Sequence, residues 1–337
     1  MAADVAYGLP ADPQIRSSYE FHLGDLSRGG LHIYASIGGG DLKRFRVDTG
    51  SEGILVASQF VGQDCEITEE KFCLEYTSSK NFYSGRWVIV PVALAASRSP
   101  GAIVATTDRM KVRMVEKWRP HGGVPITDPS KIKVIMLGVG FDRDTSSGAK
   151  DPCDYPIPTD INPFLRLTEM VSGTMTPGYI LTPQSITLGI TTQNSARFDF
   201  VKLDPLGSGW AAPSVYIAVP TANIMITRAS LLIDTGLSYS IVQAPSGVAP
   251  PLVRVNGPDG KSRMQVADGQ EFVLTIAGLS KPMYTFKTGS QNAPAYVSWR
   301  HHLHNGVAFI NTSMHALSEF DYMYDYKAGR LGFRFHT

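Results

Sequence analysis

Two carboxylates stand out for their surroundings. Asp48 opens Asp48-Thr49-Gly50-Ser51, between Arg44-Phe45-Arg46-Val47 and Gly53-Ile54-Leu55-Val56. Asp234 opens Asp234-Thr235-Gly236, between Leu231-Leu232-Ile233 and Ser240-Ile241-Val242. Each copy is an apolar strand that runs into Asp-Thr-Gly and then returns to apolar residues. One such tripeptide arises by chance in roughly one chain in ten of this length. Two copies with matching flanks are much rarer, so the two are read together. Their separation of 186 residues (234 − 48) exceeds half of the 337-residue chain, which lets each copy sit in its own lobe.

The chemistry explains why one site would need the motif twice. Two carboxyls held about 3 Å apart cannot both ionise, because the second charge is repelled by the first. They share a proton, so one serves as base and the other as acid. The base takes a proton from a water that attacks a carbonyl, and the acid protonates the carbonyl oxygen. Thr49 and Thr235 would supply hydroxyls that lock the loops, and Gly50 and Gly236 allow close backbone approach.

This arrangement resembles the pepsin-type aspartic peptidases, two-lobed β proteins with one Asp-Thr-Gly loop per lobe. The resemblance runs from about Leu31 to the C-terminus. Val134-Ile135-Met136-Leu137-Gly138 is similar to the family's apolar-apolar-Gly segment that threads beside the first loop. Phe320-Asp321-Tyr322-Met323-Tyr324-Asp325 and Gly329-Arg330-Leu331-Gly332-Phe333 resemble its last hairpin. The resemblance implies a mostly β, bilobal fold: two related antiparallel β lobes with a central cleft, residues 1–190 and 191–337. It implies Asp48 and Asp234 as catalytic groups, supported by Thr49, Gly50, Ser51, Thr235 and Gly236. It also implies a flap hairpin whose tyrosine orients substrate: Tyr76, with Tyr83 as the fallback. A peptide or peptide-like substrate, no cofactor and a monomer complete the expectation.

Two departures from the family pattern bear on the chemistry. Ser51, the usual residue there, can hydrogen-bond Asp48, whereas Leu237 stands where Ser or Thr is usual and can offer nothing to Asp234. That asymmetry predicts Asp234 as the protonated partner. The second apolar-apolar-Gly segment is expected at Phe309-Ile310-Asn311, with Asn311 in place of Gly. These departures keep two alternatives open: a repurposed enzyme doing acid–base chemistry on a small molecule, and a non-catalytic peptide-binding homologue.

The elements that must position these residues follow from pattern. Leu31 to Ile37 reads as a strand, Gly38-Gly39-Gly40-Asp41 as a hairpin turn, and Arg44 to Val47 as the strand carrying Asp48. Leu74 to Ser79 and Tyr83 to Trp87 read as the two arms of the flap. Cys65 and Cys73 match a place where the family often carries a disulfide; in a reducing compartment they would be free thiols. Lys111-Val112-Arg113 and Lys117-Trp118-Arg119 read as a solvated face, and Phe141 to Pro158 as loop. Asn162-Pro163 opens a short helix through Met170, and Ser185 to Gly189 lies near the lobe boundary. Val215 to Val219, Ile224 to Ile226 and Leu231 to Ile233 repeat, before Asp234, the order of elements before Asp48.

Bulk properties exclude other classes. With 43% hydrophobic and 18% charged residues, the chain has material for a large core or two. A net charge of +1 without a long basic block argues against nucleic acid or an anionic membrane. No stretch approaches the ~20 apolar residues of a membrane span. Met1 to Pro13 lacks the basic start and apolar core of a secretory leader, which predicts a cytoplasmic protein. His301, His302, His304 and His315 match no zinc spacing, and Gly38-Gly39-Gly40 lacks the Lys-Ser/Thr of a phosphate loop, so no metal and no nucleotide are expected.

Overall fold

A computed structural model describes residues 18–22, 30–76, 78–143, 149–150, 153, 155, 157–256, 262–303 and 306–336. The reading of Met1 to Pro13, and that of His304, lie outside the described residues. The described residues are almost entirely strands and turns. Their longest α-helix is the single turn Thr168–Val171, and none of their helices is long and apolar enough to cross a membrane. Such an outcome follows from short runs of Val, Ile, Thr and aromatics cut by 32 Gly and 22 Pro. The chain divides into two compact units, Met1–Ala196 with Met323–Ala328, and Arg197–Tyr322 with Gly329–Thr337.

The first unit is built on a ten-stranded sheet. His32–Ile37 and Lys43–Asp48 form its hairpin, with Ile33 opposite Phe45. Phe45 and Val47 point into the core while Arg44 and Arg46 do not, so the alternation read from sequence sets the face. Ile135–Val139 runs parallel to Lys43–Asp48, with Gly138 opposite Asp48, and antiparallel to Glu52–Ala57 on its other side. The strand carrying Asp48 and the strand leaving its loop are thus bridged by a third strand from far along the chain. The three contribute fully buried Val47, Ile54, Val56 and Leu137.

The hairpin expected at Leu74 to Ser79 and Tyr83 to Trp87 has longer arms, Glu66–Tyr76 and Phe82–Val90, the first beginning well before Leu74 and ending at Tyr76. It is not a free ribbon. Met110–Arg119 pairs along one side, and Ala149–Lys150 pairs with Glu75 and Tyr76 on the other. The disulfide expected between Cys65 and Cys73 does not form; Cys73 joins Cys153, and Cys65 is a partly exposed free thiol. The reason is geometric. Cys65 immediately precedes the extended strand that carries Cys73, and even with the bulge between Ile67 and Lys71 the strand rise keeps them roughly 20 Å apart, far beyond disulfide reach. Cys153 is brought to 5.9 Å, Cα to Cα, by the pairing of Ala149–Lys150 with the same arm.

The helix expected from Asn162 to Met170 is broken into two pieces. Asn162 does cap, accepting from Phe164 N at 3.0 Å, but the 3-10 turn Pro163–Leu165 ends there and the α turn begins only at Thr168. Leu167, between them, is extended and bridges to Thr107, so tertiary pairing overrides local propensity.

The second unit carries a seven-stranded sheet with the same local plan. Ser214–Val219 and Ile224–Leu232 form the hairpin before Asp234; the runs read separately at Ile224 and Leu231 are one strand. Ala308–Asn311 lies parallel to Ile224–Leu232 and antiparallel to Ser240–Gln243. Asp199–Lys202 pairs with Arg330–Phe333 at the end of the chain. There Asp321 accepts from Arg334 Nε at 2.8 Å and lies 3.0 Å from His336 Nε2, while His336 Nδ1 lies 2.9 Å from Ser318 O.

Two stability effects follow. Removing the Cys73–Cys153 link, which closes a span of 80 residues, frees much of the unfolded chain. Cys153→Ser is expected to lower the denaturation free energy by about 2–5 kcal/mol, read from urea midpoints. For His336, burial pulls its pKa down, but the hydrogen bonds to Asp321 and Ser318 O and the charges of Asp321 and Glu319 outweigh it and hold the imidazolium above its ordinary range. A raised folded pKa stabilises fully below the unfolded value and is lost as pH rises through the folded one. The stability gap between wild type and His336→Gln should therefore be larger at about pH 5.5 than at about pH 8.5, by only ~0.2–1 kcal/mol because the pair is partly exposed.

Candidate active site

In the first unit Asp48 ends its strand and is 6% exposed. Both of its oxygens have donors. Gly50 N donates to Oδ1 at 2.8 Å and Ser51 Oγ to Oδ2 at 2.6 Å. Thr49 and Ser51 are buried beside it. Gly138 is glycine for a steric reason: a Cβ there would lie 2.6 Å from Gly53 O and 2.8 Å from Ser51 Oγ. The apolar-apolar-Gly segment thus lets a strand run directly against the loop that carries Asp48.

Tyr76 reaches this group from the end of the first hairpin arm. Its ring is half-buried against the core below the hairpin and meets Tyr83 edge-on at 6.0 Å, while Tyr83 itself is a core residue. The Tyr76 hydroxyl lies close enough to the Ser51 side chain to be influenced by it. Burial first, then the nearby Asp48 charge, push its phenol well above the ordinary range, so it remains a neutral donor.

Arg113 corrects the sequence reading. It was expected on a solvated face, yet it is 3% exposed. Its guanidinium lies 4.7 Å over the Trp87 ring, and Nη1 donates to Glu52 O at 2.5 Å, just past the Asp48 loop. The run of charged residues argued for a solvated face, but the middle of Met110–Arg119 is covered on both faces. No local signal distinguished it.

In the second unit Asp234 follows its strand and is 5% exposed, with Thr235 buried next to it. Gly236 N donates to Oδ1 at 2.7 Å, as Gly50 N does for Asp48. Leu237 has no donor to give. Asn311 supplies it instead: Nδ2 donates to Asp234 Oδ2 at 2.5 Å. The amide is held at its other end, where Oδ1 accepts from Ser313 N at 2.9 Å, and Ser240 Oγ binds the Asn311 carbonyl at 2.6 Å. The asymmetry expected from Leu237 therefore loses its premise, because Asp234 has a side-chain donor from another strand.

Strand register also corrects the place given to Asn311. In the first unit Arg46 pairs with Met136 and, two residues on, Asp48 pairs with Gly138. In the second, Leu232 pairs with Asn311, so the same step to Asp234 leads from Asn311 to Ser313. The residue equivalent to Gly138 is Ser313, which takes a left-handed φ of 66°. The threading segment is Asn311-Thr312-Ser313, polar and wholly buried.

The structure thus gathers Asp48, Thr49, Gly50, Ser51 and Tyr76 in one unit, and Asp234, Thr235, Gly236 and Asn311 in the other. Each gathering is a buried carboxylate with a backbone N–H on one oxygen and a side-chain donor on the other. Two directed donors fix the plane of a carboxylate and leave lone pairs for a water or a proton. His301 and His302 are exposed, His315 is half-buried, and no three His, Cys, Asp or Glu among the described residues are placed to hold a metal.

No family model matches the sequence, and no curated protein sequence matches it. The structure is similar to the crystal structure of an aspartic proteinase from Irpex lacteus, with a TM-score of 0.60 and 15% identity. The match covers 95% of this chain and 98% of that one. The fold is therefore the pepsin-like, two-unit β fold.

Asn311 is the residue to test here. Asn311→Leu removes the donor to Asp234 Oδ2 and the acceptor for Ser313 N, and should cost about 1–3 kcal/mol in chemical denaturation near neutral pH. Leu237→Thr, at a half-buried position whose donor role is already filled, should change stability by no more than about 0.5 kcal/mol. Equal effects of the two substitutions would contradict the assignment.

Proposed function

We propose that the protein is an aspartic endopeptidase that uses Asp48 and Asp234 as a pair. One carboxylate takes a proton from the attacking water while the other, protonated, hydrogen-bonds the peptide carbonyl and then gives it the proton. The observation that carries this reading is the recurrence of one preparation in two units. Each motif aspartate has its own glycine N–H on Oδ1 and a side-chain donor on Oδ2, although the side chains, Ser51 and Asn311, come from unrelated places in the chain. Two turns of merely similar sequence have no reason to arrive at the same carboxylate geometry by different means. Tyr76 supports it as a neutral phenol held close to Ser51 and within the field of Asp48. It would act from the hairpin arm on substrate lying across the loop.

A second reading, acid–base chemistry on a small molecule, is favoured by one observation. The segment beside the second loop is polar Asn311-Thr312-Ser313 where the family resemblance leads one to expect apolar residues and Gly.

A peptide-library digest across pH, with and without pepstatin, separates these readings. Cleavage blocked by pepstatin is the expected result; pepstatin binding without cleavage of any peptide would favour the small-molecule enzyme or a binding protein. Asp48→Asn and Asp234→Asn should each lower turnover about a thousandfold or more, since water activation and proton donation fail together. If either variant kept above about a tenth of wild-type activity, the paired mechanism would be wrong. The two should differ in stability. The Ser51 hydroxyl can rotate to accept from an amide at position 48. The Asn311 amide, held by Ser313 N, would face an amide at position 234 donor to donor, which should cost about 1–2 kcal/mol.

A further inference from the structure

Beside the second motif, the structure holds an aromatic and cationic stack that proton transfer at Asp234 does not use. Tyr239 follows Asp234 by five residues and is half-exposed. Its ring lies parallel to that of Tyr296, with centroids 4.5 Å apart and planes inclined by 7°. Arg263 covers the Tyr296 ring, its guanidinium carbon 4.0 Å from the centroid. The layers come from three parts of the chain: the loop after the motif, the approach to the strand Val297–Arg300, and the strand Ser262–Val266. Backbone bonds pin the first two together, Ala295 N to Ser238 O at 2.8 Å and Ser240 N to Tyr296 O at 3.0 Å.

Electrostatics places two more groups at this stack. The Tyr239 phenol is pushed up to about 12 by burial first, then by the neighbouring Tyr296, and further by the charge of Asp234; Arg300 works against them. Tyr239 therefore stays a neutral donor, within the field of both Asp234 and Arg300. Arg263 Nε donates to Gln265 Oε1 at 3.3 Å. Among the described residues neither Arg263 nor Arg300 has a carboxylate within ion-pair distance. A guanidinium stacked on a ring loses water from one face and keeps its planar fork of donors at the edge, the form that binds a carboxylate through two parallel hydrogen bonds. Arg263 on this aromatic pair and Arg300 near Tyr239, neither with an acid partner among the described residues, form half of such an interaction.

We propose that Tyr239, Tyr296, Arg263 and Arg300 form a substrate subsite that takes an acidic side chain of the peptide, Glu or Asp, close to the bond that is cut. This rests on the peptidase reading above for what the bound peptide undergoes, but not for the binding itself. The stack follows the second motif directly in the chain, so the residue it selects lies within a few positions of the scissile bond.

The test uses the full chain and peptides that differ only by Glu against Gln, with the substitution walked through four positions on each side of a central pair of apolar residues. Binding is followed by fluorescence anisotropy and cleavage by mass spectrometry in the same samples. The expected result is a five- to twentyfold tighter binding of the Glu peptide at one position. That preference should weaken as salt is raised and fall below about twofold in Arg263→Gln and in Arg300→Gln, with melting temperatures near wild type. Arg263→Lys, which keeps the charge and loses the fork, should retain only part of it. Equal binding of Glu and Gln peptides at every position, or a preference unchanged in both arginine variants, overturns the subsite. Cleavage without a Glu preference overturns it while sparing the peptidase reading. A Glu preference in binding without any cleavage supports the subsite and overturns the peptidase reading.

Discussion

A carboxylate removed from water must find donors for both oxygens or give up its charge, and that requirement organises each unit. Asp48 and Asp234 are 6% and 5% exposed. In each case the chain meets the first oxygen locally, through the N–H of the glycine two residues on. This is the geometry for which Asp is favoured in turns. The second oxygen is harder to satisfy. Ser51 does it from within the loop, whereas Asn311 does it from a strand 77 residues away. The bridging strand is therefore more than scaffold in the second unit. Its parallel pairing with Ile224–Leu232 and antiparallel pairing with Ser240–Gln243 aim the amide at Asp234.

Around Asp48 the same demand spreads outward. Ser51 donates to the carboxylate, and the Tyr76 phenol at the end of the hairpin arm lies within the influence of both Ser51 and Asp48. The arm is held on its other edge by Ala149–Lys150 and the Cys73–Cys153 bond. Beneath the loop Arg113 binds Glu52 O and rests on Trp87, a cation kept in the interior by a carbonyl and a ring face. These groups limit how the loop can move without being part of the motif.

The likeness to an aspartic proteinase at 15% identity establishes architecture, and the chemistry rests on the residues themselves. They preserve the carboxylates while changing what surrounds the second one. Leu237 removes a hydroxyl, Asn311 restores a donor, and Ser313 occupies with a left-handed backbone the place that Gly138 holds in the first unit. In this unit the loop has no side-chain hydroxyl after Gly236, and the neighbouring polar strand supplies the donor.

By itself the sequence determined the repeated motif, the strand that delivers Asp48, the presence of a hairpin after it and the nearly all-β character. These are local matters: side chains alternate along a strand with period two, so Phe45 and Val47 declare the buried face without knowledge of anything distant. Tertiary structure alone decided the rest. Cys73 pairs with a residue 80 positions away, Arg113 serves a carbonyl 61 positions away, and Asn311 completes Asp234 across 77. Each depends on which strands lie side by side and in what register. A shift of one residue would turn every one of these side chains to the opposite face, and register is set by the packing of the whole sheet.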